Sequence, residues 1–425
     1  MKQKMRHTLA VAIAAISFSS GAQSNMLADL YEQARNYDAQ LLAAQAQSNA
    51  GQQAAPLAKG SLLPSVTLNG SSTKANTASS STEGFTLSLS QPLFDLNKWY
   101  SYERAETLTD QAKLGLELAE QQLIVRLVNA YLDVLSAKGT LEVAQSRERA
   151  VQRRLDQVNA QFEVGLIAIT DVLEARASYD DARVGLIDAT GALSNSFEAM
   201  ERVSGIAVNS VAPLSDDYPI VGLSVSDTEQ WVYKALQGNL QLRNAKLSET
   251  AATQNLEAYR GAAMPTLSLS FDLNDGDRQF MGNRADSTIG LRLSVPLYRG
   301  GATTAAEQQA GYQAAQTSHE YDDKLREITQ TTRELVRDIE TSVASVEARM
   351  KSIESRETAL EATEQGFEVG TRNVVDVLEA ENSLFIARQN FVDARLGHIR
   401  LQFALKQAIG TLSPDDLATL DDWLQ

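Results

Sequence analysis

Few residues in this chain could do chemistry, and the best placed of them are carboxylates. Asp376 and Glu379 stand three apart among helix-forming residues, so both fall on one helical face, a turn apart. Asp171 and Glu174 repeat that spacing earlier in the chain. Paired carboxylates can move protons or hold a cation, but a pair on one helix is ordinarily just hydrated. The three histidines give little acid–base or zinc capacity: His7 falls in an expected leader, and His319 and His398 stand isolated on expected helices. Cys is absent, which excludes disulfides, thiolate metal sites, Cys nucleophiles and Cys-linked lipid anchors. No Gly-rich phosphate loop, zinc-ligand spacing or nucleophile elbow occurs. With 54 acidic against 38 basic residues, a net charge of −16 and a pI near 4.8, the chain does not suit nucleic acid. It reads as a non-enzyme without cofactor or metal.

The elements around the carboxylates occur twice. FEVGLIAITDVLEA at 162–175 returns as FEVGTRNVVDVLEA at 367–380, nine of fourteen positions identical at an offset of 205. Leu63-Pro64 to Leu68 answers Met264-Pro265 to Leu269, and Gln91-Pro92-Leu93-Phe94 answers Val295-Pro296-Leu297-Tyr298. Tyr31 to Leu41 faces Tyr233 to Leu242. An ordered series of this kind is a tandem duplication.

Proline divides each repeat. The eight prolines leave two Pro-free stretches of 120 and 117 residues, rich in Ala, Glu, Gln, Leu and Arg. Leu325, Ile328, Leu335, Ile339, Val346, Ile353 and Leu360 form a heptad stripe. The stretch around 114–135 carries two stripes, one through Leu118, Val125 and Leu132 and one through Leu116, Leu123 and Tyr131. Two stripes on one helix imply neighbours on both sides, as in a wall. The repeated motif interrupts each stretch at Gly165 or Gly370, so each is expected to be a helical hairpin turning there. Arms of about 65 residues would reach about 100 Å.

Between the prolines, period-2 alternation predicts strands at about 65–73, 84–93, 266–274 and 287–297, each with one apolar and one polar face. Long polar loops are expected between Gly70 and Gly84 and between Asn274 and Ser287, with an aromatic girdle of Phe94, Trp99, Tyr100, Tyr102 and Tyr298. Four strands cannot close a membrane barrel, which needs about eight. Several chains must contribute.

Lys2, Lys4 and Arg6 before the apolar run Leu9–Ile16 form a signal peptide, with cleavage expected after residue 22 or 24. Its removal would take the net charge from −16 to −19. The expected plan is a leader at 1–24, a first repeat at 25–203, a linker at 204–229, a second repeat at 230–412 and a tail at 413–425. No later segment reaches 18 consecutive apolar residues.

The ordered set of Gln91-Pro-Leu-Phe-Asp95 with Lys98-Trp99, Val164 to Val172, and Val369 to Val377 resembles the TolC family of outer-membrane efflux and secretion channels. The resemblance spans nearly the whole mature chain. It implies a mainly α fold with a small β part, assembled as a homotrimer in the outer membrane. Four strands per chain would complete a 12-stranded barrel in outer-membrane lipid, continued by long helices as a periplasmic α-barrel. It also implies docking onto a periplasmic adaptor (membrane fusion) protein and an inner-membrane RND, ABC or MFS transporter, and export of drugs, other small molecules or proteins. At the hairpin tips, Val164, Gly165, Leu166, Val369, Gly370 and Thr371 would contact the adaptor. Asp376 and Glu379 would form stacked acidic rings at the periplasmic mouth, with Glu379 where relatives more often have Asp. Arg372 would latch onto Thr170 and Asp171, while Phe367 lacks the hydroxyl of the usual Tyr, leaving fewer bonds or a compensating one. A non-conducting coiled-coil scaffold or adhesin stalk is the alternative.

Overall fold

The computed structural model describes residues 27–74, 81–224, 227–276 and 286–424; the expected leader lies outside them. The first half runs α1 (Leu27–Tyr37), α2 (Ala39–Gly51), α3 (Ala54–Gly60), β1 (Ser65–Lys74), β2 (Ser81–Phe94), α4 (Leu96–Glu163) and α5 (Ile169–Ser204). The second runs α6 (Thr228–Gly238), α7 (Leu240–Gly261), β3 (Thr266–Gly276), β4 (Asp286–Ser294), α8 (Ala302–Glu368) and α9 (Val374–Ala408), and α10 (Asp415–Asp421) follows. The duplication expected from the sequence is therefore the plan of the fold. One difference has a local cause. Pro56 lacks the N–H that would bond the carbonyl four residues earlier, so the first half breaks into α2 and α3 where α7 runs unbroken.

The hairpins are lopsided. Their outgoing helices α4 and α8 have 68 and 67 residues, but the returning α5 and α9 have only 36 and 35. The expectation of long arms on both sides is thus corrected for the return. Gly205 and Gly410, at φ 78° and 74°, stop the returning helices, and short helices take over the packing nearer the sheet. There α7 zips antiparallel to α4: Asn97 Nδ2 donates to the Ala258 carbonyl, Gln111 Nε2 to Ser248 Oγ, and Thr107 Oγ1 bonds Gln254 Oε1, at 2.7–2.8 Å. Both stripes of α4 are used, with Leu123, Leu127, Tyr131, Val134, Leu132 and Leu135 all buried. The main core lies where α4 meets α1, α5, α9 and α10, around Leu27, Leu30, Met200 and Leu417. Tyr131 is fully buried within it, and its hydroxyl donates to the Ala212 carbonyl at 3.0 Å.

The four strands form one antiparallel sheet in the order β1-β2-β3-β4. They run slightly longer than expected at the loops, and β4 ends at Ser294, short of Pro296, which cannot donate to a ladder. Register aligns all the apolar positions on one face. Val66 pairs with Leu89 and Leu89 with Phe271; Leu267 pairs with Leu293, and Leu269 with Leu291. On the edge strands those side chains stand exposed, as Leu68, Ile289, Leu291 and Leu293 show at 68, 73, 68 and 67%, and on the central strands Leu89, Leu267, Leu269 and Phe271 are half-buried. The other face is polar and internally bonded: Ser88 Oγ to Asp272 Oδ1 at 2.7 Å and Thr86 Oγ1 to Asn274 Oδ1 at 2.8 Å. Among the described residues no helix is long and apolar enough to cross a membrane.

If hydrocarbon covers the apolar face, Leu291→Arg should cost about 2–4 kcal/mol near mid-depth. It is expected to deplete folded protein from the outer-membrane fraction, read by immunoblot, whereas Thr288→Arg on the polar face should insert at wild-type level.

Candidate functional site

The two hairpin tips are built alike. In each, the helix ends in a Schellman motif: Leu166 N–H donates to the Gln161 carbonyl at 2.9 Å and Thr371 N–H to Gly366 at 2.8 Å. The motif needs a left-handed residue, and Gly165 and Gly370 supply it, both at φ 76°. The next helix then starts on an aspartate. Asp376 Oδ2 accepts from Asn373 N–H at 3.1 Å while Asn373 Oδ1 accepts from Asp376 N–H at 2.8 Å, a reciprocal cap. Asp171 does half of this, accepting from Ala168 N–H at 3.4 Å, because Ala168 has no side-chain acceptor. Much of the repeated motif is therefore turn chemistry. Capping does not explain Val164, Leu166 and Val369, which stand 70, 73 and 75% exposed.

Arg372 and the acidic pair lie together. Asp376, Glu379, Arg372 and Arg356 line a cleft of about 300 Å³ between α8 and α9. Arg372 Nη1 lies 4.0 Å from Asp376 Oδ2, with both side chains partly in solvent. Within one chain, Arg372 is thus brought to Asp376 rather than to Thr170 and Asp171. Among the described residues no group of three or more His, Asp or Glu is placed to hold a metal ion.

The sequence reading missed the residue that joins the two hairpins. Arg154 on α4 donates through Nη2 to Glu364 Oε1 on α8 at 2.5 Å and to Glu381 Oε1 on α9 at 3.0 Å. Its guanidinium also lies 6.0 Å from the centroid of the Phe367 ring. Phe367 packs against a small core of Val158, Ala175 and Val374 that draws on all four hairpin helices. Beside Phe367, Arg154 thus ties the two hairpins by charge. Arg154 and Glu381 are both buried, and Arg154 Nε and Glu381 Oε2 have no partner among the described residues. Burial pushes the Glu381 carboxyl above the usual range, outweighing the pull of Arg154. Arg154 sits in a run of charged residues, RERAVQRR, that reads as a solvated face, so no local signal marks it.

His398 is likewise not isolated. It is fully buried, with Nδ1 2.7 Å from Ser342 Oγ and Nε2 2.8 Å from Gln402 Nε2, and burial lowers its pKa. It is held as a neutral core histidine beside a cavity of about 550 Å³ between α4, α8 and α9.

Removing only the cation should be the damaging change. Arg154→Met leaves the buried Glu381 carboxyl without its cation and is expected to cost about 3 kcal/mol at the tip, seen as faster hydrogen exchange in both hairpins. Glu381→Gln should cost far less. Because the folded state raises the Glu381 pKa, its contribution favours folding below the ordinary carboxylate pKa and fades as pH rises through the raised one. Tip protection in the wild type should therefore fall as pH rises above the ordinary carboxylate range, and Glu381→Gln should flatten that slope.

The family pattern described as outer membrane efflux protein matches residues 30–205 and 231–411, the two repeats. The chain is 33% identical to the outer membrane protein TolC of Vibrio cholerae serotype O1 over 428 residues, covering 98% of each chain. It is 28% identical to the alkaline protease secretion protein AprF of Pseudomonas aeruginosa, over 92% of this chain and 85% of that protein. Among solved structures it superposes on the channel CusC with a TM-score of 0.82 at 19% identity, covering 91% of this chain and 92% of that one. A lopsided helical hairpin hung from a strand pair, said twice in one sequence to build one two-faced sheet and matched along nearly its whole length, places this chain in the outer membrane efflux protein family, as a TolC-like protein of the outer membrane.

Proposed function

We propose that this efflux and secretion channel works as a homotrimeric exit duct with a gate at its periplasmic tips. The sheet carries the argument. It has a lipid-compatible face, a polar face and two unpaired edges, β1 and β4. Open edges do not survive in hydrocarbon, so copies must pair β1 to β4 until the sheet closes. Two copies give eight strands, a barrel whose interior side chains fill it; three give twelve and a bore. A coiled-coil stalk would have no use for a sheet that is polar on one side only.

The helices then continue the bore into the periplasm. At its far end, the exposed apolar tips Val164, Leu166 and Val369 suit docking of an adaptor's helices, with an RND, ABC or MFS transporter supplying energy and substrate choice. Drugs, other small molecules or proteins would pass. Three copies of Asp376 and Glu379 would make an acidic mouth that favours cations. Arg154 holds the two hairpins of each protomer together, and Arg372, beside Asp376, would bridge to Thr170 and Asp171 of a neighbour as the gate latch. An exposed pair contributes about 1 kcal/mol, so three copies shift a closed–open balance by roughly a hundredfold.

Four measurements test this. Unheated protein should migrate in detergent gels as a heat-labile trimer, and single-channel conductance in planar bilayers should rise for Arg372→Ser. Asp376→Ala with Glu379→Ala should instead weaken cation selectivity and block by multivalent cations; wild-type behaviour in both variants would move the gate elsewhere. Gly165→Val and Gly370→Val should reduce export while leaving trimers in the membrane, because only local turn geometry and docking depend on those glycines.

A further inference from the structure

We infer that Arg292 makes the helix-proximal end of the barrel an anion-selective collar, favouring export substrates that carry carboxylate or phosphate groups. This rests on the trimeric pore proposed above. Arg292 lies on β4 opposite Ser268, between Leu291 and Leu293, whose partners Leu269 and Leu267 belong to the apolar face. Alternation therefore assigns Arg292 to the polar face with Thr288, Ser294, Ser268 and Ser270. It is exposed, and no hydrogen bond or ion pair engages it among the described residues.

Its neighbours on that face are neutral. Ser294 and Thr266 follow toward the helices, and Ser90 and Ser65 occupy the adjoining strands. The acids of the face, Asp272 and Asp286, stand four and six residues further from the helices in register, and Asp272 is already bonded by Ser88. Four residues of strand are about 13 Å, beyond the screening length of about 8 Å at physiological salt. Arg292 is thus a free cation in a ring of serine and threonine. It stabilises nothing in the sheet that lysine, serine or glutamine would not, and it would be costly on the lipid face. In three copies it sets a positive ring inside a low-dielectric wall, the arrangement that concentrates counter-ions and sets pore selectivity.

The test uses the full chain in planar bilayers, on the Asp376→Ala, Glu379→Ala background so that the acidic mouth does not mask the barrel. The probe is a potassium chloride gradient at about 30 mM, where the screening length is about 17 Å, and again near 1 M, where it is about 3 Å. At low salt Arg292→Ser and Arg292→Gln should each lower the chloride-to-potassium permeability ratio about threefold, and Arg292→Glu further. Arg292→Lys should keep the parental ratio, and all differences should shrink at high salt. Heat-labile trimers in each variant would show that assembly is intact. Channels of parental conductance whose ratio ignores the serine, glutamine and glutamate changes at low salt would overturn the collar while leaving the pore. A parent protein that forms no channels would overturn both.

Discussion

A backbone N–H or C=O left unpaired in hydrocarbon costs several kcal/mol, and this constraint organises the molecule. Nine or ten residues per strand are enough to cross a bilayer, but one chain contributes only four strands and ends in two open edges. Nothing inside the chain can satisfy them. The single chain therefore leaves two strand edges open beside an apolar face that exposes Leu68, Ile289, Leu291 and Leu293. The duplication follows the same logic. Each repeat delivers one antiparallel strand pair and one helical hairpin, so every pair of strands arrives with its own wall segment.

Length is the second theme. A 68-residue helix cannot rest on propensity, and α4 is held by neighbours that change along it. Near the sheet these are α2, α3 and α7; past the core around Tyr131 they are α5 and α9. The core between those regimes is the best-packed part of the protein, with Leu27, Leu123, Leu127, Tyr131 and Leu417 all sealed from water. The distal hairpins project beyond this core.

At the distal end of the hairpins the contacts become electrostatic. The distal core is small, and its strongest single feature is Arg154 between Glu364 and Glu381. One guanidinium against two carboxylates leaves surplus negative charge in a partly dry site, with polar atoms unsatisfied on both partners. Such a cluster specifies a geometry more than it deepens a minimum. Aspartates read as mouth and latch groups also cap helices, so Asp376 has a local structural role in addition to any in conduction.

The sequence by itself determined whatever repeats over short range. The period-2 strands, the long outgoing helices and the glycine turns are local patterns that appear as read, while the returning helices stop well short of the expected arm. Pro56 and the reciprocal cap at Asn373 and Asp376 were also legible in principle, as fixed spacings. Tertiary structure alone decided the rest. Arg154 meets its carboxylates 210 and 227 residues away, and no spacing rule reaches so far. Likewise, Leu412 and Ala212 accept from Gln121 and Tyr131 only because the segments after both hairpins fold back on α4. Where the returning helices stop is settled by what they meet there, and His398 is neutral and buried because α8 offers it Ser342. Local periodicity specifies elements; which faces meet depends on the closure of a chain on itself, and that information lies in no window of the sequence.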